Sequence, residues 1–117
     1  MNGCEFVMHN FNHDEISVII PTRNSEDFIE KTLETLFSQT IIPEEIIIVD
    51  DGSEDNTIEK INMLVNQKRN LNIKLIKSTY RGPGNARNTG IRLATRDWIA
   101  FLDSDDEWEP TKIYEVK

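Results

Sequence analysis

The chain is expected to fold as a Rossmann-like three-layer α/β/α sandwich around a mainly parallel sheet, and three observations point there. Apolar strand-like runs alternate with helical stripes along its length, the connections between them are short, and polar or acidic clusters stand directly after the runs. Strand–helix alternation with short loops makes successive strands parallel and puts helices on both faces. In such sheets ligands sit beyond the carboxyl ends of the strands, near the point where strand order reverses.

The first run, Ile16-Ser17-Val18-Ile19-Ile20, is β-branched and stops at Pro21, which cannot continue a ladder. Ser25 then offers an N-cap, and Glu26 and Asp27 suit the positive end of a helix. Ile29, Leu33, Leu36 and Phe37 follow the helical stripe, closed by residues 40–43. The uninterrupted run Glu45-Ile46-Ile47-Ile48-Val49 fits a strand covered on both faces, and it ends at Asp50-Asp51-Gly52-Ser53. Residues 55–67 carry Ile58, Ile61, Leu64 and Val65 on one side of a second helix. Residues 73–77 alternate apolar and basic side chains, the pattern of an edge strand. Pro83 suits the first turn of a third helix, in which Ala86, Gly90 and Ala94 form a small-residue face for close packing on the sheet. A fourth strand is predicted over 97–102, and Pro110 opens a further helix.

At 117 residues this is one domain over 15–117, preceded by a leader over 1–14 that is expected to be flexible. The leader has no apolar core of a secretory signal, and no stretch approaches the ~20 apolar residues that span a bilayer. Cys4 is the only cysteine, so the chain has no internal disulfide and no cysteine metal cluster, which fits a reducing cytoplasm. The net charge of −8 argues against nucleic acid as a partner. A phosphorylated small molecule is still compatible with it where a divalent cation bridges the two sets of negative charge.

The most informative segment is Trp98-Ile99-Ala100-Phe101-Leu102-Asp103-Ser104-Asp105-Asp106, an apolar run driven into carboxylates. Carboxylates cannot end a buried strand unless they emerge at a wet edge. Two of them on alternate residues of one turn can reach a single hard cation, Mn²⁺ or Mg²⁺, which would hold a diphosphate. A merely solvated acidic loop is the plain alternative; direct attachment to a buried strand, with Trp108 nearby, favours the cation. Asp-Gly is a common turn, and Ser53 or Asp55 can cap the next helix, which accounts for 51–55. Asp50 at the strand tip stays open between that turn and an acceptor for the imide N–H of a base. Arg87 sits either on the surface, its stem covering apolar neighbours, or beside a helix N-terminus where a guanidinium binds phosphate. His9 and His13 have the spacing of a metal pair but lie in the leader without partners. No Ser/His/Asp or Cys/His set can be assembled from the strand ends.

Taken in order, Ser17-Val18-Ile19-Ile20-Pro21-Thr22-Arg23-Asn24, Leu33-Glu34-Thr35-Leu36-Phe37-Ser38-Gln39-Thr40, Glu45-Ile46-Ile47-Ile48-Val49-Asp50-Asp51-Gly52-Ser53, Ala86-Arg87-Asn88-Thr89-Gly90 and Phe101-Leu102-Asp103-Ser104-Asp105-Asp106 resemble the nucleotide-binding half of a family 2 glycosyltransferase of the GT-A fold. The resemblance covers about residues 15 to 115. It implies an inverting, metal-dependent transfer of a sugar, hexosyl in type, from a nucleotide-diphosphate donor with UDP favoured, to an acceptor hydroxyl on a glycan or lipid-linked molecule in polysaccharide biosynthesis. It also implies a cytoplasmic enzyme, with peripheral association at the inner face of the membrane. Pro21, Thr22, Asn24, Asp50, Arg87, Asp103 and Ser104 would bind the donor, Pro21 and Thr22 lining the base pocket and Asp50 bonding the base. Asp103 and Asp105, the acids of a DXD motif, would hold Mn²⁺ or Mg²⁺. Arg23 departs from the aromatic residue that many relatives carry to stack on the base. The general base is expected beyond Lys117, so the chain reads as a truncated one that binds donor without efficient turnover. Two other classes compete: a non-catalytic nucleotide- or metal-binding module, and a receiver-like signalling domain. The second needs acids where Pro21-Thr22-Arg23 stands.

Overall fold

β-Branched residues build the centre of the sheet. The computed structural model describes residues 5–8 and 15–116, with residues 5–8 and 116 as backbone only; Cys4, His9 and His13 lie outside the described residues. The elements are β1 (Glu5–Met8), β2 (Ile16–Thr22), α1 (Ile29–Phe37), β3 (Glu45–Asp51), α2 (Thr57–Asn66), β4 (Ile73–Ser78), α3 (Pro83–Leu93), β5 (Trp98–Phe101) and α4 (Lys112–Val116). They form one five-stranded sheet of order β1-β5-β2-β3-β4. β2, β3, β4 and β5 are mutually parallel, whereas β1 runs antiparallel along β5. β4 is an edge strand, as its alternating basic residues predict.

β1 lies within the segment 1–14 that precedes the main run of elements. Glu5–Met8 pairs Glu5 with Phe101 through Met8 with Trp98 and so covers what would otherwise be the open edge of β5. Four residues are too short to show a strand period on their own.

The pleat sorts the core into two layers. Even-numbered strand residues, among them Val18, Ile20, Ile46, Ile48 and Ala100, pack with Ile29, Leu33, Leu36 of α1, Ile61 of α2 and Ile113 of α4. Odd-numbered residues, Ile19, Ile47, Val49, Ile99 and Phe101, pack with Ala86 of α3 and Ala94. The small-residue face is what lets α3 lie close: a Cβ placed on Gly90 would stand 2.4 Å from Cγ2 of Ile19. Among the described residues no helix is long and apolar enough to cross a membrane.

At the amino end of the sheet Glu45, 1% exposed, is a buried carboxylate with both oxygens engaged. It accepts from the Ser17 hydroxyl at 2.7 Å, the Thr95 N–H at 2.9 Å and the Lys74 ammonium at 2.9 Å. Burial opposes the charge, but hydrogen bonds from Lys74, Thr95 and Ser17, with the Lys74 charge, more than offset it and hold the carboxyl at about 2.

The helix starts differ in one respect from the sequence expectation. Ser25 does not cap α1 with its side chain. Its carbonyl accepts the N–H groups of Phe28 and Ile29 at 2.9 and 2.8 Å, and the helix begins at Ile29 without a side-chain cap. The hydroxyl is engaged elsewhere, 2.6 Å from that of Ser104.

Two outcomes follow from this packing. Helix propensity alone favours alanine over glycine by about 1 kcal/mol. Gly90→Ala should nonetheless lower stability by about 1–2 kcal/mol in urea unfolding, because Ile19 is wholly buried and cannot yield. Because Glu45 has a lower pKa folded (about 2) than its ordinary 4.5, its contribution is complete above pH 4.5 and is lost as pH falls toward 2. The contribution is roughly 3 kcal/mol. Glu45→Gln should flatten the fall in melting temperature between pH 5 and 2 relative to the unmodified chain.

Candidate functional site

The chain runs β2, β3, β4 toward one edge, then returns through α3 to place β5 on the other side of β2. Strand order therefore reverses between β2 and β5, and a crevice opens at their carboxyl ends. Two connected lobes occupy it, of about 320 and 340 Å³. Pro21, Arg23 and Pro83 line both; Thr22, Asp51, Tyr80 and Ala86 complete the first. Asn24, Ser25, Phe28, Arg87 and the Asp103-Ser104-Asp105 loop complete the second.

The structure thus brings Pro21, Thr22, Asn24, Arg87, Asp103, Ser104 and Asp105 to one cleft. Asp50 is the exception among the sequence-predicted site residues. It is fully buried, and its carboxylate is turned into its own turn, accepting the Ser53 N–H at 2.9 Å and the Ser53 hydroxyl at 2.6 Å. The wall carboxylate is its neighbour Asp51, which accepts the N–H groups of Arg81 and Gly82 at 2.9 and 3.0 Å. The alternation of β3 explains the exchange: Asp50 continues the even face toward α1 and α2, and Asp51 the odd face toward α3. Gly52 makes the turn possible, with φ +76° and a would-be Cβ only 2.8 Å from the Tyr80 nitrogen.

The cleft floor is pinned from several sides. Asn24 adopts φ 47°, a conformation its short polar side chain tolerates. Its N–H donates to Ser53 Oγ at 2.9 Å and its side-chain oxygen accepts the Glu54 N–H at 2.7 Å, joining the loops after β2 and β3. Asp55 strengthens the same junction by accepting the N–H groups of Glu26 and Thr57 at 3.2 and 3.0 Å. Burial pushes its carboxyl up, but hydrogen bonds from Thr57 and Glu26 outweigh that and hold it below the usual carboxylate range.

Two arginines line the second lobe together with the acids. The Arg87 guanidinium stacks 4.1 Å over the Phe101 ring, which fixes its approach to the second lobe. Arg23 lies 4.3 Å over the ring of Tyr80 and 3.6 Å from the Glu54 carboxylate. Arg23 therefore brings an aromatic with it: Tyr80, 60% exposed, is contributed by the segment between β4 and α3. Sequence reading missed Tyr80 and Phe28 because nothing local marks a surface aromatic as part of a cleft; only the return crossing through α3 assembles them.

Asp103, Ser104 and Asp105 present oxygen donors only, the set that suits a hard cation such as Mg²⁺ or Mn²⁺. Among the described residues no three or more His, Cys, Asp or Glu are grouped as a closed cage. Two carboxylates in an open cleft fit a cation that completes its shell with the phosphates of a ligand.

Comparison with known proteins places the chain in a family. The Glycosyl transferase family 2 pattern matches residues 17–116. Over 99 residues the chain is 43% identical to the Escherichia coli UDP-Glc:alpha-D-GlcNAc-diphosphoundecaprenol beta-1,3-glucosyltransferase WfaP, an overlap of 84% of this chain and 38% of that protein. It is 39% identical over 102 residues to the uncharacterized glycosyltransferase alr2836 of Nostoc sp., covering 87% of this chain and 31% of the relative. Staphylococcus aureus TarS 1–349 in complex with UDP-GlcNAc superimposes with a TM-score of 0.76 at 36% identity, over 86% of this chain and 29% of TarS 1–349. The mannosyltransferase PcManGT from Pyrobaculum calidifontis, in complex with GDP-Man and Mn²⁺, gives 0.73 at 30% identity, over 80% of this chain and 28% of the other. The chain therefore spans about a third of the length of the curated relatives it matches. Its Rossmann-like sheet is that of the GT-A glycosyltransferases, and with the family pattern running from the first central strand to the last helix, the chain belongs to glycosyl transferase family 2.

Proposed function

We propose that the chain supplies the donor-binding part of an inverting glycosyltransferase that uses a nucleotide-diphosphate sugar, UDP-linked in preference, together with Mn²⁺ or Mg²⁺. The observation that carries this reading is the single cleft running from Asp51 beneath Tyr80 to Asp103 and Asp105 beside Arg87. WfaP is named as a UDP-Glc-dependent glucosyltransferase, and TarS 1–349 is seen in complex with UDP-GlcNAc, which favours uracil as the base.

In this reading the base lies in the first lobe between Pro21, Thr22 and the Arg23–Tyr80 stack, and the Asp51 carboxylate accepts its imide hydrogen. The diphosphate crosses the amino end of α3, whose partial positive charge favours it, toward the Arg87 guanidinium. Asp103 and Asp105 would hold the divalent ion, which neutralises the charge left on the departing diphosphate. The bond from the anomeric carbon to the phosphate oxygen breaks as the acceptor oxygen bonds from the opposite face, and the acceptor's proton passes to a base. Arg87 stabilises the same developing charge without moving, since Phe101 already orients it. A lipid-linked acceptor at the cytoplasmic face of a membrane fits the diphosphoundecaprenol in the WfaP name.

A thermal-shift panel of UDP, GDP, CDP and dTDP with and without Mn²⁺ tests the reading. UDP with Mn²⁺ at ~100 times its Kd should stabilise the fold by about 2.7 kcal/mol. A panel in which no nucleotide raises the melting temperature sinks it. The two neighbouring acids should separate by calorimetry. Asp51→Ala should weaken UDP binding by about tenfold or more, the loss of a charge-assisted hydrogen bond. Asp50→Asn, which keeps an acceptor for the Ser53 N–H, should leave UDP affinity within about twofold and cost stability of about 1 kcal/mol.

A further inference from the structure

Residues 102–111 carry the acidic loop yet belong to no helix or strand, so their backbone groups need partners outside regular structure. Leu102 N–H finds the Ile19 carbonyl and Asp106 N–H the Asp103 carbonyl, and several of the remaining partners come from one stripe on and just beyond α1. The Thr32 hydroxyl donates to the Ser104 carbonyl at 3.0 Å, the peptide between the two acids. The Thr35 hydroxyl accepts the Trp108 N–H at 3.2 Å. Gln39 uses both ends of its amide, donating to the Glu109 carbonyl at 2.7 Å and accepting the Ile113 N–H at 3.0 Å. Positions 32, 35 and 39 share one helical face. Thr32 is fully buried and Gln39 is 5% exposed. Packing alone would be served better by apolar residues there, because a buried polar group costs free energy unless it is bonded. Here each is bonded to the same segment.

We propose that Thr32, Thr35 and Gln39 are positioning residues that preset the Asp103-Ser104-Asp105 loop for a divalent cation, so that cation-assisted binding of a nucleoside diphosphate depends on α1. The inference rests on the donor-site reading above and adds what holds the carboxylates in place. Outer residues that orient ligands typically affect metal affinity by about 10–100-fold. Thr32, Thr35 and Gln39 line neither lobe, so their influence reaches the cleft through the loop that carries Asp103 and Asp105.

The test compares Thr32→Val with Thr32→Ser, which restores the hydroxyl, by two measurements. One is amide hydrogen exchange over residues 103–109. The other is the ratio of UDP affinity in Mn²⁺ to that in EDTA. Thr32→Val should speed exchange in the loop and reduce the Mn²⁺ enhancement by about tenfold, with UDP affinity in EDTA unchanged; Thr32→Ser should behave as the unmodified protein does. Unchanged exchange, or faster exchange with undiminished enhancement, overturns the proposal, as does an equal loss of UDP affinity in EDTA. If Thr32→Val does not fold, Thr35→Val gives the same decision through the Trp108 N–H, one turn further along. An unmodified protein that binds UDP equally with and without Mn²⁺ overturns both the cation reading and this dependence on it. Unchanged exchange beside a strong Mn²⁺ enhancement overturns this proposal alone.

Discussion

Where the ladders of β2, β3 and β5 stop, their backbone donors and acceptors stop finding partners in neighbouring strands, and the chain must supply others. The cleft is the consequence of how it does so. Asp50 closes its own turn through Ser53, Asn24 ties the loop after β2 to the loop after β3, and Asp51 gathers the N–H groups of Arg81 and Gly82. Thr32, Thr35 and Gln39 do the same for the loop after β5. Asn24, Ser25, Asp51 and Ser104, all on the walls of the opening, are thereby held before any ligand arrives, which reduces the ordering cost of binding.

Acid is concentrated at this end in a chain already carrying a net charge of −8. The arrangement stays tolerable because the carboxylates divide their work. Asp50 is spent on its own turn, Asp51 braces the segment before α3 while lining the first lobe, and the acids of the Asp103-Ser104-Asp105 loop line the second lobe with Arg87. At the opposite end of the sheet Glu45 is held ionised by Lys74, Thr95 and Ser17, so that end is closed by internal bonds and the other is left for a ligand.

Most of the architecture was legible in the residues because its signals are local. The runs at 16–20 and 45–49, the edge pattern of 73–77 and the small face of Ala86 and Gly90 each name their own surroundings. What was not legible depends on distant pairing. β1 has meaning only against the free edge of β5. Ser25 looked like a cap, but Ser104, 79 residues away, takes its hydroxyl. The choice between Asp50 and Asp51 was encoded in the pleat, yet using it required knowing which face α3 covers.

The contact between Gly90 and Ile19 has an effect beyond the core. α3 meets the sheet at van der Waals distance there, and its amino end, seven residues earlier at Pro83, borders both lobes. At 1.5 Å rise per residue the two points are roughly 10 Å apart along one rigid rod. The missing side chain thus works as a gauge, setting from inside the core how closely the rod that borders the crevice lies against the sheet.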